Sequence, residues 1–452
     1  TARTRFLFGC VEAGLAPRAN LILRKLRTKE VNLAHQGMGD ELGVVLARSL
    51  EDLPLVARLN LTDNRLTDRA LVPLLRAVRA RNDVLELDLS QNKLDEDASH
   101  ELMSYLEDKG CSLKALVLSK ADVDDDECCK LMHSLAKTPY LTTLDLSHNF
   151  IGQKENMNVV DPDYTTGGEA VAESLQMPYC NLRHLDLSWN LVRLESAQAL
   201  GAALAWNQRL ETLNLAYNAF GAEGGEALGL ALHQNTTLRE LDLSHNGVGP
   251  RAAFVLAVAL RHNRGLRRIA LDGNPLGRLG GETLMTIPTT TDHRIEIGIK
   301  GCNFQLKQQA GADFNPRNPR GEYLLDMEKA YDHAVLLELL RLAAAEEGCR
   351  ILRCAHGAGG EGGAETEVQL VRRRPEEERG GALAVRGCLE GDPEALFQRV
   401  DADGSGMIDT EELTGMFHSL GLRGSDEEIR RIMGYYDADG SGTIDFDEFQ
   451  DI

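Results

Sequence analysis

Two stretches near the C-terminal end carry side chains that could do chemistry: DADGSGMIDTEE at 401–412 and DADGSGTIDFDE at 437–448. Each sets side-chain oxygen at its first, third, fifth, ninth and twelfth positions. These are Asp401, Asp403, Ser405, Asp409 and Glu412 in one, and Asp437, Asp439, Ser441, Asp445 and Glu448 in the other. A glycine stands sixth in both, where a residue free to adopt a left-handed backbone lets so short a loop turn sharply. Four carboxylates and a hydroxyl, without nitrogen or sulfur, suit a hard divalent cation. Helical patterns flank the loops: PEALFQRV enters the first, LTGMFHSL leaves it, and SDEEIRRIMGYY, opening on a serine cap, enters the second.

The charge of the chain follows these loops. Its 452 residues hold 49 Lys and Arg against 70 Asp and Glu, a formal −21. From Leu389 to Ile452 there are 17 acids against 4 bases, a net −13, which leaves −8 for everything before Leu389. Such a balance, without clustered Lys and Arg, argues against nucleic acid and anionic membrane as partners. No apolar run approaches the roughly 18 residues of a membrane span. Nine cysteines, odd in number and without a CxxC pair, argue against a disulfide framework and a zinc site. The expected setting is reducing and cytoplasmic, the cytoskeleton included.

Most of the chain ahead of these loops is a long repeat. LRELDLSHNGV at 238–248 and LETLNLAYNAF at 210–220 are two copies of one phrase, LxxLxLxxNxL. Marked by the first apolar residue of each LxL pair, copies fall at Val31, Leu59, Leu87, Leu116, Leu144, Leu185, Leu213, Leu241, Ile269 and Ile297. All the intervals agree to within a single position except the one from Leu144 to Leu185. The alternating leucines read as a short strand with one buried face. A helical pattern such as Ala70, Leu71, Leu74, Leu75 and Val78 follows each. Asn64, Asn92, Asn149, Asn190, Asn218, Asn246 and Asn274 recur at the intervening turn, where an inward amide can satisfy orphaned backbone groups. Ala121 and Cys302 break that series, so the turn at Ala121 needs another partner. The interval from Leu144 to Leu185 is longer than its neighbours, its excess lying near GQKENMNVVDPDYTT at 152–166. That insertion is expected to project from one rim, where loops often carry binding.

The stretch of repeats resembles a leucine-rich repeat domain of the ribonuclease-inhibitor type, and the acidic end resembles a calmodulin-like EF-hand pair. The first resemblance implies an α/β solenoid, a horseshoe with a parallel sheet inside and helices outside. The second implies a small all-α domain that binds Ca2+. The resemblance implies the ligand set: in such loops the first, third, fifth, ninth and twelfth residues supply side-chain oxygen, here Asp401, Asp403, Ser405, Asp409 and Glu412, and Asp437, Asp439, Ser441, Asp445 and Glu448, while the seventh, here Met407 and Thr443, gives its main-chain carbonyl. Serine at the fifth position departs from the strict motif, which asks for Asp or Asn. Ligand charge suggests sensor-grade affinity, roughly 10⁻⁷ to 10⁻⁵ M. The loop at 401–412 is expected to be the complete site and the one at 437–448 to depend on it.

Between cap and acidic end the chain divides as follows: a helical cap at 1–27, ten repeats at 28–305, a cap helix at 306–354, a flexible Gly- and charge-rich linker at 355–385 and the EF-hand pair at 386–452. On the repeats, Asp145 and Asp186 are adjacent acids of an outward-facing row. His148, Trp189, Tyr217 and His245, each just before a ladder asparagine, put four rings or imidazoles in consecutive units. A protein partner bound there should offer basic and apolar groups. No phosphate-binding or dinucleotide fingerprint occurs, and LDLSHN marks no nucleophile with its base, so an enzyme is not expected. The reading is a calcium-responsive adaptor, with Phe397, Met416, Phe417, Ile432 and Met433 as an apolar groove for a target helix. Because GTPase activators of the Ran type share the repeat, a small-GTPase regulator is one alternative. A constitutive structural component of a large assembly is another.

Overall fold

A computed structural model describes residues 1–22, 29–135, 137–155, 165–290, 295–305, 314, 322–324, 329–345, 349–351, 367–372, 397, 401, 405–409, 412 and 441–444. The chain divides into two compact units, Thr1–Gln308 and Gln309–Ile452.

In the first unit every marker residue of the repeat centres a three-residue strand. The strands are β1 (Glu30–Asn32), β2 (Arg58–Asn60), β3 (Glu86–Asp88), β4 (Ala115–Val117), β5 (Thr143–Asp145), β6 (His184–Asp186), β7 (Thr212–Asn214), β8 (Glu240–Asp242), β9 (Arg268–Ala270) and β10 (Glu296–Gly298). They pair in chain order as one parallel ten-stranded sheet, with Leu144 opposite Leu185 and Leu185 opposite Leu213. The central residue of β1 to β9 is buried, and its two neighbours are, with one exception at Ala270, at least partly open to solvent. Parallel strands need crossovers, and helices supply them. After the cap helix α1 (Ala2–Glu12) come α2 (Gly39–Leu50), α3 (Asp68–Arg81), α4 (Glu96–Leu106), α5 (Asp125–Leu135), α6 (Gly167–Gln176), α7 (Leu194–Trp206), α8 (Gly221–Gln234), α9 (Pro250–His262) and α10 (Gly277–Thr290). The architecture is an α/β solenoid.

The core is a continuous slab between sheet and helices. α1 closes its first end by burying Phe6 and Cys10. Small residues let successive helices approach: a Cβ built on Gly229 of α8 would lie 2.7 Å from Val255 Cγ1 of α9. No helix among the described residues is long and apolar enough to cross a membrane.

The asparagine ladder closes the turns by donating and accepting across neighbouring units. Asn149 Nδ2 donates to Leu118 O (2.8 Å) and Leu146 O (2.9 Å), while its Oδ1 accepts from Ala121 N (3.0 Å) and Val123 N (3.1 Å). Asn92 and Asn274 do the same in their units. At Ala121, where the side chain cannot help, the backbone carbonyl accepts from Leu94 N at 3.1 Å. At the other end Cys302 Sγ donates to Leu271 O at 3.1 Å in the amide's place.

A second ladder, without a mark in the repeat phrase, runs where helices return to strands. Asn207, Asn235 and Asn263 each follow the last helical residue. Asn235 Nδ2 donates to Leu204 O (2.7 Å) and Asn207 O (2.8 Å), and Asn263 Nδ2 donates to Leu232 O (2.6 Å) and Asn235 O (2.7 Å).

The second unit contains α11 (Ala330–Ala345), within the stretch read as a cap helix, and a three-stranded antiparallel sheet of β11 (Glu322–Leu324), β12 (Cys349–Ile351) and β13 (Glu367–Arg372). β13 lies inside the segment expected to be a flexible linker and is the central strand of that sheet. This corrects the expectation for 367–372: the run EVQLVR is strand-forming, and the glycines and charges around it hide that in a composition average.

Candidate functional site

The described parts of the two acidic loops are their turns and their junction. Gly406 and Gly442 both adopt the left-handed backbone, with φ of 81° and 82°. Two positions further on, Ile408 and Ile444 are fully buried and form an antiparallel bridge, with N–H to carbonyl distances of 2.8 and 2.9 Å. The loops are thus paired at their eighth positions. In the first loop both oxygens of Asp401 hold the turn, accepting from Ser405 N (2.9 Å) and Gly406 N (2.8 Å). Asp409 and Glu412 brace each other: Glu412 N donates to Asp409 Oδ1 (2.8 Å) and Asp409 N to Glu412 Oε2 (3.0 Å).

Of the twelve residues read as ligands, Asp401, Ser405, Met407, Asp409, Glu412, Ser441 and Thr443 are described, and Asp403, Asp437, Asp439, Asp445 and Glu448 lie outside the described residues. Among the described residues no three His, Cys, Asp or Glu side chains converge as a metal cluster. The donors that are described fit a hard cation: all are oxygens, and the glycine turn that brings them round is in place. Phe397 is buried, whereas Met416, Phe417, Ile432 and Met433 of the expected groove lie outside the described residues.

On the repeats, the six residues read as partner-binding fall into two rows. Asp145 and Asp186, opposite one another in register, each accept the amide two residues on, Ser147 N and Ser188 N, both at 2.8 Å. Asp88 and Asp242 do likewise, and so do Asn60 and Asn214. The row is therefore a structural device, a side chain closing the strand's exit turn, and its carboxylates also form the floor of a groove. That groove, of about 340 Å³, is lined by Asp145, Asp186, Asp242, His184, Glu240 and Arg268 among others.

Burial pushes the Asp145 carboxyl above its ordinary value, and repulsion from Asp186 and Asp88 adds to this, against the lowering effect of Ser147. A raised carboxyl makes the ionised form costly in the folded chain. That cost is fully present above the folded-state value and disappears below the unfolded one, near pH 3.9. Asparagine keeps the turn without the charge, as Asn214 does. Asp145→Asn should therefore melt above the parent at about pH 7, with the gap closing as pH falls through the carboxylate range; thermal melts along a pH series check it.

The second row is a stack. His148 and Trp189 have ring centroids 5.1 Å apart, Trp189 and Tyr217 3.9 Å, and Tyr217 and His245 4.3 Å, with planes within 15° of one another. All four sit in the turn after their strands with left-handed backbone, φ between 56° and 58°. In the next unit Gly273 takes that place, and a Cβ there would lie 2.3 Å from the His245 ring. The faces of Trp189 and Tyr217 are spent on their neighbours, yet the residues stay 47% and 39% exposed. A partner would meet ring edges, which the type of residue alone does not reveal.

The insertion is pinned at its root. Buried Asp125, at the start of α5, accepts from Gly152 N (2.7 Å) and Gly167 N (2.8 Å) with one oxygen and from Lys154 N (2.9 Å) with the other. Thr166 and Glu169 then form a capping box that starts α6. Residues 156–164 lie outside the described residues.

Residues 394–452 match the family model for the EF-hand domain pair, and 138–154, 180–201, 207–229 and 234–257 match that for the leucine-rich repeat. The chain joins leucine-rich repeats to an EF-hand pair. It is 30% identical over 207 residues to the ribonuclease inhibitor of Mus musculus, covering 45% of this chain and 42% of that protein. It is 31% identical over 184 residues to NACHT, LRR and PYD domains-containing protein 2 of Homo sapiens, covering 40% of this chain and 16% of that one. The chain thus spans less than half the length of either relative. An internalin of Listeria monocytogenes overlays with a TM-score of 0.35 at 15% identity, covering 58% of this chain and 65% of the internalin.

Proposed function

We propose that the protein is a calcium-responsive adaptor: the repeats hold a protein partner, and the EF-hand pair binds Ca2+ and adjusts what the protein holds. The observation that carries this is the pairing of the two loops through Ile408 and Ile444, since paired loops of oxygen donors are suited to sensing a hard cation. Asp401, Asp403, Ser405, the Met407 carbonyl, Asp409 and Glu412 would hold one ion, and Asp437, Asp439, Ser441, the Thr443 carbonyl, Asp445 and Glu448 the other. The ion supplies a local positive charge that gathers these carboxylates. The murine relative is named for inhibiting a ribonuclease, which supports a protein ligand for repeats of this kind.

The ring stack supports the same reading on energetic grounds. The exit turn demands a left-handed backbone, which costs an L-residue about 1–2 kcal/mol, and glycine serves at 273 and 301. Trp and Tyr are therefore not there for the turn. Because their faces are covered, a partner's cation pairs with Asp145 and Asp186, while its apolar groups lie along the ring edges.

Trp189→Gly tests this. It loses two stacking contacts, about 0.5–1.5 kcal/mol each, and relieves a backbone penalty of about 1 kcal/mol. The melting temperature should move little while partner capture in calcium is lost. Capture by the parent that is indifferent to chelator would sink the calcium-responsive part. Capture by Trp189→Gly equal to the parent's would sink the ring stripe.

A further inference from the structure

The two loops meet at more than their paired isoleucines. Beside the bridge, the Thr443 hydroxyl donates to Met407 Sδ at 3.3 Å, joining the seventh position of one loop to the seventh of the other. The seventh residue is the one whose main-chain carbonyl faces the ion in loops of this kind. Each of these carbonyls is also tied to its own loop's fifth residue: Ser405 Oγ donates to Met407 O at 2.9 Å, and Ser441 Oγ to Thr443 O at 3.1 Å. Ser441 Oγ and Thr443 Oγ1 lie 3.2 Å apart. A path of hydroxyl, thioether and carbonyl groups thus runs from the fifth position of one loop to the fifth of the other. Ionised aspartate at that position has no proton to give the carbonyl, so the departure to serine is what completes the path.

Packing does not explain where Met407 lies. The residue is 49% exposed, and an unbranched thioether with three rotatable bonds is free to point elsewhere. The sulfur is a weak acceptor, but its partner belongs to the other loop, so even a weak bond links two sites.

We infer that the Met407–Thr443 contact is a second link between the loops, through which a cation settling in one alters the readiness of the other; Met407 and Thr443 are positioning residues. The inference rests on the calcium reading above. Were the Met407 or Thr443 carbonyl to serve an ion, the side chain of the same residue would carry the change to the other loop through the Oγ1–Sδ contact, the other carbonyl being held by its own serine.

The test uses the full chain with Met407→Leu, which keeps the volume and removes the acceptor, Thr443→Val, which keeps the shape and removes the donor, and the double variant. Calcium titrations are followed by calorimetry and by the amide signals of Gly406 and Gly442. Each single variant should still bind two ions, with a midpoint about two- to five-fold higher and shallower cooperativity, the scale of one weak hydrogen bond. The double variant should lose no more than either single one, because both cut the same link. Isotherms that superimpose on the parent's, or losses that add in the double variant, overturn the inference. A readout without calcium separates it from the calcium reading. Amide exchange at Ile408 and Ile444 in chelator should speed up about two- to five-fold in both single variants. If the parent binds no calcium, unchanged exchange there still overturns the link.

Discussion

Asn149→Ala should be the most destabilising single ladder substitution, lowering stability by about 3–5 kcal/mol. The amide of Asn149 meets four backbone groups: it donates to Leu118 O and Leu146 O and accepts from Ala121 N and Val123 N. Leu146 O keeps a second donor, Asn190 Nδ2 at 2.9 Å, but the amides of Ala121 and Val123 have no such reserve in side chains of their own unit. That unit already lacks its asparagine. Ala121 offers only its carbonyl, to Leu94 N at 3.1 Å. Removing Asn149 leaves two consecutive turns without an inward amide, and buried donors left unmet cost more than the bonds were worth. Asn190→Ala, flanked by Asn149 and Asn218, should cost less. Hydrogen exchange is the suitable readout because a solenoid loses cooperativity locally: protection of β4 and β5 should collapse first. Equal losses at 149 and 190 would show that the gap at Ala121 does not matter.

The repeat was legible because its period is set by packing. A strand residue that must be buried returns once in every unit, and each marker from Val31 to Ile297 centres a strand. What went unread has physical reasons. Asn207, Asn235 and Asn263 keep the same period as the strand markers Leu213, Leu241 and Ile269. They stand at helix exits, however, where asparagine is common for its turn preference alone, so only bonds to the preceding unit reveal a ladder. The acidic row faces outward, as alternation along a strand requires, but spacing alone does not show that Asp145 and Asp186 each spend one oxygen on the strand's own exit turn. Spacing placed His148, Trp189, Tyr217 and His245 in one row, but whether rings stack or splay depends on the left-handed backbone beneath them. Asp125 gave no signal, because the two arms it joins, at Gly152 and Gly167, lie on either side of an insertion with no counterpart in other units.

Glu412→Gln is the corresponding test of the acidic loops, and its expected effect is on affinity rather than fold. In the described loop Glu412 Oε2 accepts from Asp409 N at 3.0 Å and Glu412 N donates to Asp409 Oδ1 at 2.8 Å. A glutamine carbonyl can accept the first bond, and the second is backbone to Asp409, so the calcium-free loop should keep its turn. What changes is charge: the twelfth residue is the bidentate carboxylate of such loops, and affinity across them spans several decades with ligand charge and rigidity. Losing one carboxylate of four should weaken the first loop by about a hundredfold. Because Ile408 and Ile444 pair the loops, the second should weaken as well, by a smaller factor. Titration calorimetry, with amide exchange at Ile408 in chelator as the control for folding, distinguishes the outcomes. Unchanged affinity with unchanged exchange would mean that Glu412 does not face an ion. Lost affinity with fast exchange would mean that its brace with Asp409, rather than its charge, is what the loop requires.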